Sequence, residues 1–234
     1  MSTSAPRPFQ SANPHALASI LEAAETKRII AATDIFDISG IKLWASNQPV
    51  SAELQRRLQD RQLKKPLESS LVAEDGVSTT SLVRAVEALA GSDSALVPLV
   101  QPRAALLMQE AARLTLHPVA QLLLTATQES RRTAFDHAIA GMCLAGCLMA
   151  EAGGEPMSVR RAMLGGLLHD LGDLYIAPEH GEADADRDLD VDSYRQLVAH
   201  PHVGYLLVSQ LTEYPVDVAQ AIAEHHERLD GSGY

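Results

Sequence analysis

The hydrophobic and polar positions divide the chain into an N-terminal part of mixed periodicity and a longer part with helical periodicity. Apolar residues between Leu17 and Ala24 recur at the spacing of one helix face, which predicts a short amphipathic helix over residues 15–27. Residues 1–13 contain Ser, Pro and Asn without any such period. They predict a loose, flexible tail before the first helix.

A β-hairpin is predicted over Ile30–Trp44. Two short runs of alternating residues flank the dipeptide Ser39-Gly40, a pattern typical of two strands joined by a turn. A helix over residues 52–62 and one further strand over residues 69–74 are expected to follow.

Helical spacing then continues from about residue 79 to the end of the chain. The breaks in it are rich in Gly, Pro or Asp and lie at 91–94, 102, 118, 153–156 and 180–192. The acidic break has no Gly at the sixth place and no Glu at the twelfth place of a calcium loop in any register, so it predicts a solvated loop. We therefore expect a mainly α protein, with a small α+β region over 14–78 and a helical domain over 79–234.

Composition agrees with this expectation and limits the kinds of partner. The chain of 234 residues is 46% hydrophobic but only 4% aromatic, which suits packed helices better than a β-sandwich. A formal net charge of −11 argues against binding to nucleic acid polymers or anionic membranes. An anionic substrate would therefore need a local source of positive charge.

The two cysteines and the longest apolar run indicate a cytoplasmic protein. Cys143 and Cys147 are four residues apart inside the run Ala138–Ala150 and are expected to be buried free thiols. This run of 13 residues is shorter than the roughly 18–20 needed to cross a bilayer. The N-terminus contains no apolar signal core, so no membrane association is expected.

Metal-binding chemistry is indicated by histidines in four helical segments. Imidazole and carboxylate together suit first-row metals such as Fe, Mn, Co or Zn. Five histidines with one aspartate exceed the needs of one tetrahedral site, so two metals are implied, with the aspartate free to bridge them. The residues are His137, His169, Asp170, His200, His225 and His226.

Each histidine also has an ordinary structural interpretation. A single histidine such as His137 on an apolar helix is usually a satisfied core or boundary residue. His225-His226 could be a solvated helix end, where a cation interacts favourably with the helix dipole. A purely structural explanation of all four segments needs four separate coincidences, so the pattern as a whole favours metal binding. The other histidines are assigned structural roles, although His202 is close enough to support His200.

The order of these motifs resembles the HD-GYP family of the HD phosphohydrolase superfamily. The motifs are His137, then Leu-Leu-His169-Asp170-Leu-Gly, then His200-Pro-His-Val-Gly, then His225-His226-Glu-Arg-Leu-Asp-Gly-Ser-Gly-Tyr234. The resemblance covers about residues 130–234, and the last motif is its most specific part.

The resemblance implies a bacterial phosphodiesterase that hydrolyses cyclic di-GMP to linear pGpG or GMP by a metal-bridged hydroxide. It implies two or three divalent metals, commonly Fe or Mn, with the six residues above as ligands and with His169 and Asp170 at the catalytic centre. A cyclic dinucleotide is the expected partner, and a homodimer or a signalling protein is a further possibility. The residues expected beside the substrate are Asp173, Gly231, Gly233 and Tyr234.

The chain differs from the family pattern at three places. Asp173 stands where members usually have Lys, and Thr133 stands where three-metal members have Glu, which favours two metals. The HD-GYP domain is also expected to be incomplete, because the family's final Asp ligand would follow Tyr234. These differences support a second hypothesis, a degenerate HD-GYP module that binds nucleotide or a protein partner without catalysis. An HD enzyme acting on another nucleotide is a third.

Overall fold

The computed structural model describes residues 8–181 and 190–234. Most of the predicted acidic loop and residues 1–7 of the predicted flexible tail therefore lie outside the described residues, while Phe9 and Asn13 of that tail contact Tyr175. The helices are α1 (Pro14–Ala23), α2 (Ala52–Leu58), α3 (Thr79–Ala90), α4 (Val97–Val100), α5 (Ala104–Ala111), α6 (Pro118–Ser130), α7 (Arg132–Glu151), α8 (Pro156–Leu168), α9 (Val191–Leu197), α10 (His200–Leu211) and α11 (Val216–Ala223). The strands are β1 (Ile29–Ala31), β2 (Ile35–Phe36), β3 (Lys42–Trp44) and β4 (Leu71–Ala73). Short 3-10 turns lie at Glu68–Ser70, Gln101–Arg103, Leu171–Tyr175 and Pro178–His180. The prediction of a mainly α protein with a small N-terminal strand region is confirmed.

The N-terminal strands form two small antiparallel pairs. β2 pairs with β3 as the predicted hairpin, and Gly40 in its turn has a φ of +84°, which a residue without a Cβ adopts readily. β1 instead pairs with β4, so the sequence around Ile30 belongs to a separate strand and the prediction of one hairpin from Ile30 was too long. This second pairing joins segments about 40 residues apart, a distance that local alternation does not reveal.

The helix boundary at Arg131 was missed from sequence, as were the breaks between α9, α10 and α11. α6 and α7 are separated at Arg131, whose backbone is neither helical nor extended, with φ −136° and ψ 65°. No Gly or Pro marks this position. The guanidinium of Arg131 donates to the backbone carbonyls of Asp173 and Ile176, which stabilises the chain reversal through tertiary contacts.

The N-terminal region and the helical region share one hydrophobic core. α1 and β4 both pack on α6, and Ile20, Leu71 and Leu123 are all buried in the same cluster. The change in sequence pattern near residue 78 is therefore a change of secondary structure within continuous packing. As a result, the N-terminal region packs on α6 and on the turn Leu171–Tyr175, which follows the His-Asp pair.

α7 and α8 cross at very short distance because glycines lie at the contact. A Cβ on Gly166 would be 2.4 Å from the carbonyl oxygen of Gly141, and a Cβ on Gly141 would be 2.9 Å from the carbonyl oxygen of Gly166. Only residues without side chains allow this approach. The crossing brings His137 on α7 next to His169 at the end of α8.

α7 is longer than its apolar run suggested. With 20 residues, α7 is long and apolar enough to cross a membrane by length and composition alone. The apolar run of 13 residues in the sequence therefore underestimated the length of this helix. Its packing against α8 gives another reason for this composition, because Met142 and Cys143 lie in the core. Both cysteines are buried and free, as predicted, and burial raises the pKa of the Cys143 thiol to about 12.

Candidate metal centre

The structure brings all six predicted metal ligands together at the ends of four helical segments. α7 carries the first histidine, α8 ends immediately before the His-Asp pair, α10 begins with the next histidine, and α11 ends just before the double histidine. The residues in this order are His137, His169, Asp170, His200, His225 and His226.

Three of the histidines are oriented in the same way. Each directs its Nδ1 at the backbone carbonyl three residues earlier, which can only accept a hydrogen bond, so Nδ1 carries the proton and Nε2 is left as a ligand atom. The Nδ1 to oxygen distances are 2.8 Å from His169 to Gly166, 2.7 Å from His200 to Leu197 and 2.7 Å from His225 to Ile222.

Asp170 lies between two pairs of histidines. Its Oδ2 is 3.4 Å from Nε2 of His137 and 3.1 Å from Nε2 of His169. Its Oδ1 is 3.4 Å from Nε2 of His200 and 3.3 Å from Nε2 of His225. Each carboxylate oxygen therefore belongs to a different group of donors, which is the arrangement of a bridging ligand.

The spacing of these donors fits first-row metal ions. Nε2 atoms are 3.2 Å apart in the pair His137–His169 and 3.1 Å apart in the pair His200–His225. Donors held about 2.0–2.2 Å from a metal at tetrahedral or octahedral angles lie about 2.8–3.6 Å from one another. His226 joins the second pair, so one group has three possible ligand residues and the other has four, with Asp170 in both.

Burial and charge support the same conclusion. The side chain of Asp170 is 9% exposed, and its Oδ1 has no hydrogen bond of normal geometry. Burial alone would raise the pKa of Asp170, but the surrounding imidazoles of His169, His200 and His225 lower it well below its usual range. A buried carboxylate oxygen facing only imidazole nitrogens is accounted for by a cation, so these residues fit a pair of divalent metals.

Asp173, which was predicted to contact substrate, lies beneath His200. It is 5% exposed, and its Oδ1 is 3.5 Å from Nδ1 of His200. Burial lowers the pKa of His200, but the neighbouring carboxylates of Asp170 and Asp173 raise it above its ordinary value. Its carboxylate thus faces the metal ligand His200, and contact of Asp173 with substrate stays a prediction.

The C-terminal motif forms a loop against His226. The ring of Tyr234 stacks on His226, with centroids 4.5 Å apart and planes 21° apart. Gly231 has a φ of +73°, and a Cβ on Gly233 would be 2.3 Å from the carbonyl oxygen of His226. Both glycines are therefore needed for the loop shape, and Tyr234 lies beside the centre.

The remaining histidines lie outside the two ligand groups found among the described residues. His117 begins α6, where its Nδ1 accepts from the backbone of Val119 and its Nε2 is 2.9 Å from Glu213. His202 is exposed and stacks on Tyr205, so it does not support His200 as expected.

A cavity of about 700 Å³ opens beside His169 and His225. Its walls come from α7, α8 and α11 and are mostly apolar, with Leu144 and Ala221 among the lining residues. Arg161 and Asp217 also line it and form an ion pair of 3.1 Å. The cavity places non-polar surface next to the polar centre.

Sequence reasoning missed the residues that support the ligands. Arg131 and Glu68 form hydrogen bonds with the segment Asp173–Ile176, which follows the His-Asp pair, yet neither residue lies in a sequence motif that suggests a metal site. The close glycine contact of α7 and α8 was also missed. A glycine inside a helical pattern, such as Gly141 or Gly166, is the one available signal.

Comparison with known proteins identifies the helical part of the chain. Residues 134–233 match the HD domain family, and this range contains all six candidate ligands. No curated protein and no solved structure shows significant similarity to the chain. The histidine and aspartate cluster within the matched range has the donors expected for divalent metals. The match of residues 134–233 to the HD domain therefore supports the HD phosphohydrolase superfamily and metal-dependent hydrolase chemistry.

Proposed function

We propose that this HD domain is of the HD-GYP type and hydrolyses cyclic di-GMP to linear pGpG or GMP. The observation that carries the proposal is the bridging position of Asp170 between the pairs His137–His169 and His200–His225. Two adjacent metals are the usual solution for hydrolysis of a phosphodiester, because the attacking and leaving oxygens both require stabilisation.

Bound divalent metals, for which we propose Fe or Mn, would supply water of lowered pKa and positive charge for the phosphate. The protein's own residues prepare this chemistry. Hydrogen bonds from Nδ1 to backbone carbonyls hold His169, His200 and His225 with Nε2 directed at the centre. Little reorganisation of these side chains is therefore needed on metal binding. Asp170 would supply negative charge to metals held by either group of histidines, since one of its oxygens faces each group.

The surroundings suit an anionic substrate with ring systems. The chain has a net charge of −11, so metals at the centre would provide the local attraction that the whole protein lacks. The ring of Tyr234 offers a stacking surface on one side of His226, and the apolar cavity lies beside His225 on another. Such surfaces suit nucleobases, which have apolar faces.

The decisive experiment measures hydrolysis of cyclic di-GMP by the purified chain loaded with Mn²⁺ or, without oxygen, with Fe²⁺. We expect metal-dependent formation of pGpG that is abolished in His169→Ala. His202→Ala is the matched control, because His202 lies exposed on α10 and away from the donors, and it should retain activity. Binding of cyclic di-GMP by metal-loaded protein without turnover would overturn the enzymatic proposal and support the non-catalytic binding module.

A further inference from the structure

We infer that Tyr175 is a positioning residue for the metal ligand His200, and that Glu68 of the N-terminal region holds Tyr175 in place. The inference rests on the metal centre of the proposed function. It assigns a role in metal binding to a region that contributes no ligand. The connecting segment is the 3-10 turn Leu171–Tyr175, which directly follows the His-Asp pair and is called the site turn below.

The first contact joins the site turn to the N-terminal region. The hydroxyl of Tyr175 donates to Oε1 of Glu68 over 2.6 Å, although the two residues are 107 positions apart. Glu68 is 3% exposed and Tyr175 is 9% exposed. A hydrogen bond between two such buried groups is costly to break, because either partner left alone would lack the solvent that could replace it.

Further contacts fix the same end of the site turn. Nδ2 of Asn13 donates to the backbone carbonyl of Tyr175 over 3.0 Å. The ring of Phe9 meets the ring of Tyr175 edge to face, with centroids 5.7 Å apart. From the other side, Arg131 donates to the carbonyls of Asp173 and Ile176. The site turn is therefore held by the N-terminal region and by the junction of α6 and α7.

The opposite side of the site turn lies against His200. A Cβ on Gly172 would be 2.0 Å from the carbonyl oxygen of His200 and 2.9 Å from the backbone nitrogen of Gly204. Asp173 places Oδ1 3.5 Å from Nδ1 of His200. With contact this close, a displacement of the site turn must change the position of the first turn of α10. Nε2 of His200 would move with it.

The effect is expected to be confined to one half of the centre. His137 and His169 are positioned by the glycine crossing of α7 and α8, which does not include the site turn. Among the histidine ligands, His200 has its backbone carbonyl against Gly172 and its Nδ1 3.5 Å from Oδ1 of Asp173, whereas Asp170, whose carbonyl accepts from the backbone nitrogen of Asp173, belongs to both groups. Loss of the Tyr175 hydroxyl should therefore weaken the metal position formed by the His200 group and leave the His137 group unchanged.

The experiment measures Co²⁺ affinity in two backgrounds, so that each half is observed separately. In the His137→Ala chain, Tyr175→Phe should lower the affinity at the remaining His200 group by about tenfold or more, the usual effect of losing a residue that supports a ligand. In the His200→Ala chain, the same substitution should leave Co²⁺ affinity unchanged. The visible absorption of bound Co²⁺ should also change only in the first background.

Two further variants separate positioning from general loss of stability. Glu68→Gln keeps an acceptor for the Tyr175 hydroxyl and should retain the affinity of its parent. Tyr214→Phe removes the hydroxyl that donates to the carbonyl of Thr115, away from the site turn, and should not alter Co²⁺ binding.

Unchanged affinity in the His137→Ala, Tyr175→Phe chain would overturn the inference, as would an equal loss in both backgrounds. These results leave the proposed function standing. Absence of Co²⁺ binding by the unmodified chain would instead overturn the metal centre itself, and hydrolysis of cyclic di-GMP is measured independently of either result.

Discussion

At the scale of single residues, Asp170 is the candidate ligand whose side chain faces both histidine pairs. Each of its oxygens faces a different histidine pair at 3.1–3.4 Å. A histidine offers one free nitrogen after Nδ1 has donated to a carbonyl, so only the carboxylate can serve both metal positions. The side chain of Asp170 has nearly the same shape as that of asparagine. Replacement by asparagine therefore tests the charge and the second oxygen ligand without changing the size of the side chain.

Asp170→Asn should therefore weaken metal binding in both halves of the centre, by about a hundredfold or more, while the fold is retained. The amide keeps the shape but loses the charge and one oxygen ligand. Metal content after dialysis, measured by atomic emission, checks this. Asp136→Asn is the control, because Asp136 on α7 is 61% exposed and pairs with Arg132. Full metal content in Asp170→Asn would exclude the bridging role.

Glu68 provides a second prediction, on the dependence of stability on pH. Burial raises the pKa of Glu68 above its ordinary value of 4.5, although the hydrogen bond from Tyr175 partly opposes this. The folded state therefore binds the carboxyl proton of Glu68 more tightly than the unfolded state does. The contribution of this proton to the free energy of unfolding is fully present below pH 4.5 and is lost as the pH rises through the pKa of Glu68 in the folded state.

Glu68→Gln removes this ionisation and keeps the hydrogen bond acceptor. We expect the variant to be more stable than the parent at neutral and alkaline pH, with a smaller difference near pH 4. Urea unfolding at a series of pH values measures it. A difference in free energy of unfolding that does not grow with pH would contradict the raised pKa.

At the scale of elements, the crossing of α7 and α8 decides the width of the site. The backbones of Gly141 and Gly166 meet directly, so the helices that carry His137 and His169 are as close as backbone atoms allow. The neighbouring Gly165 has a different environment, because a Cβ there would meet only the Cβ of Ala221 at 3.8 Å. An added methyl group would therefore clash at Gly166 but fit at the adjacent Gly165.

Gly166→Ala should destabilise the protein by about 1–3 kcal/mol and reduce metal binding, because the added methyl group forces the helices apart. Gly165→Ala should be neutral or stabilising by up to about 1 kcal/mol, since alanine favours the helix and the space is open. Urea unfolding with metal titration compares the pair. Equal stability of the two variants would show that the crossing is less tight than the structure indicates.

At the scale of the whole molecule, metal ions would connect parts of the chain that are distant in sequence. The ligands lie on α7, after α8, on α10 and after α11, and they span residues 137–226. Binding of a metal to the folded state alone stabilises that state by mass action. The centre should therefore contribute to stability as well as to chemistry.

Removal of metal by EDTA should lower the free energy of unfolding by about 2.7 kcal/mol for each site, if the free metal concentration was about a hundred times the Kd of that site. For a chain of this size, this corresponds to a fall of about 5–10 °C in Tm. Thermal unfolding with and without Mn²⁺ measures it. His169→Ala should show a much smaller shift, and an equal shift would place the stabilising metal elsewhere.

Helix and hairpin positions were largely predictable, because they depend on local periodicity and turn residues. The hairpin turn at Gly40 and the helix that begins after Ser78 are examples, and Ser78 caps α3 as one half of a capping box. The break at Arg131 and the pairing of β1 with β4 were not predictable. Both depend on partners more than 40 residues away, which a local pattern cannot contain.

For the site, the sequence by itself determined which residues are candidate ligands, because imidazole and carboxylate in four helical segments favour metal binding over four separate structural roles. Only the tertiary structure decided that Asp170 lies between the two histidine pairs, since that depends on how closely α7 and α8 cross. It also placed Asp173 beneath His200 and joined Tyr175 to Glu68. Such supporting contacts arise from packing between distant segments, and their residues carry no chemical signature along the chain.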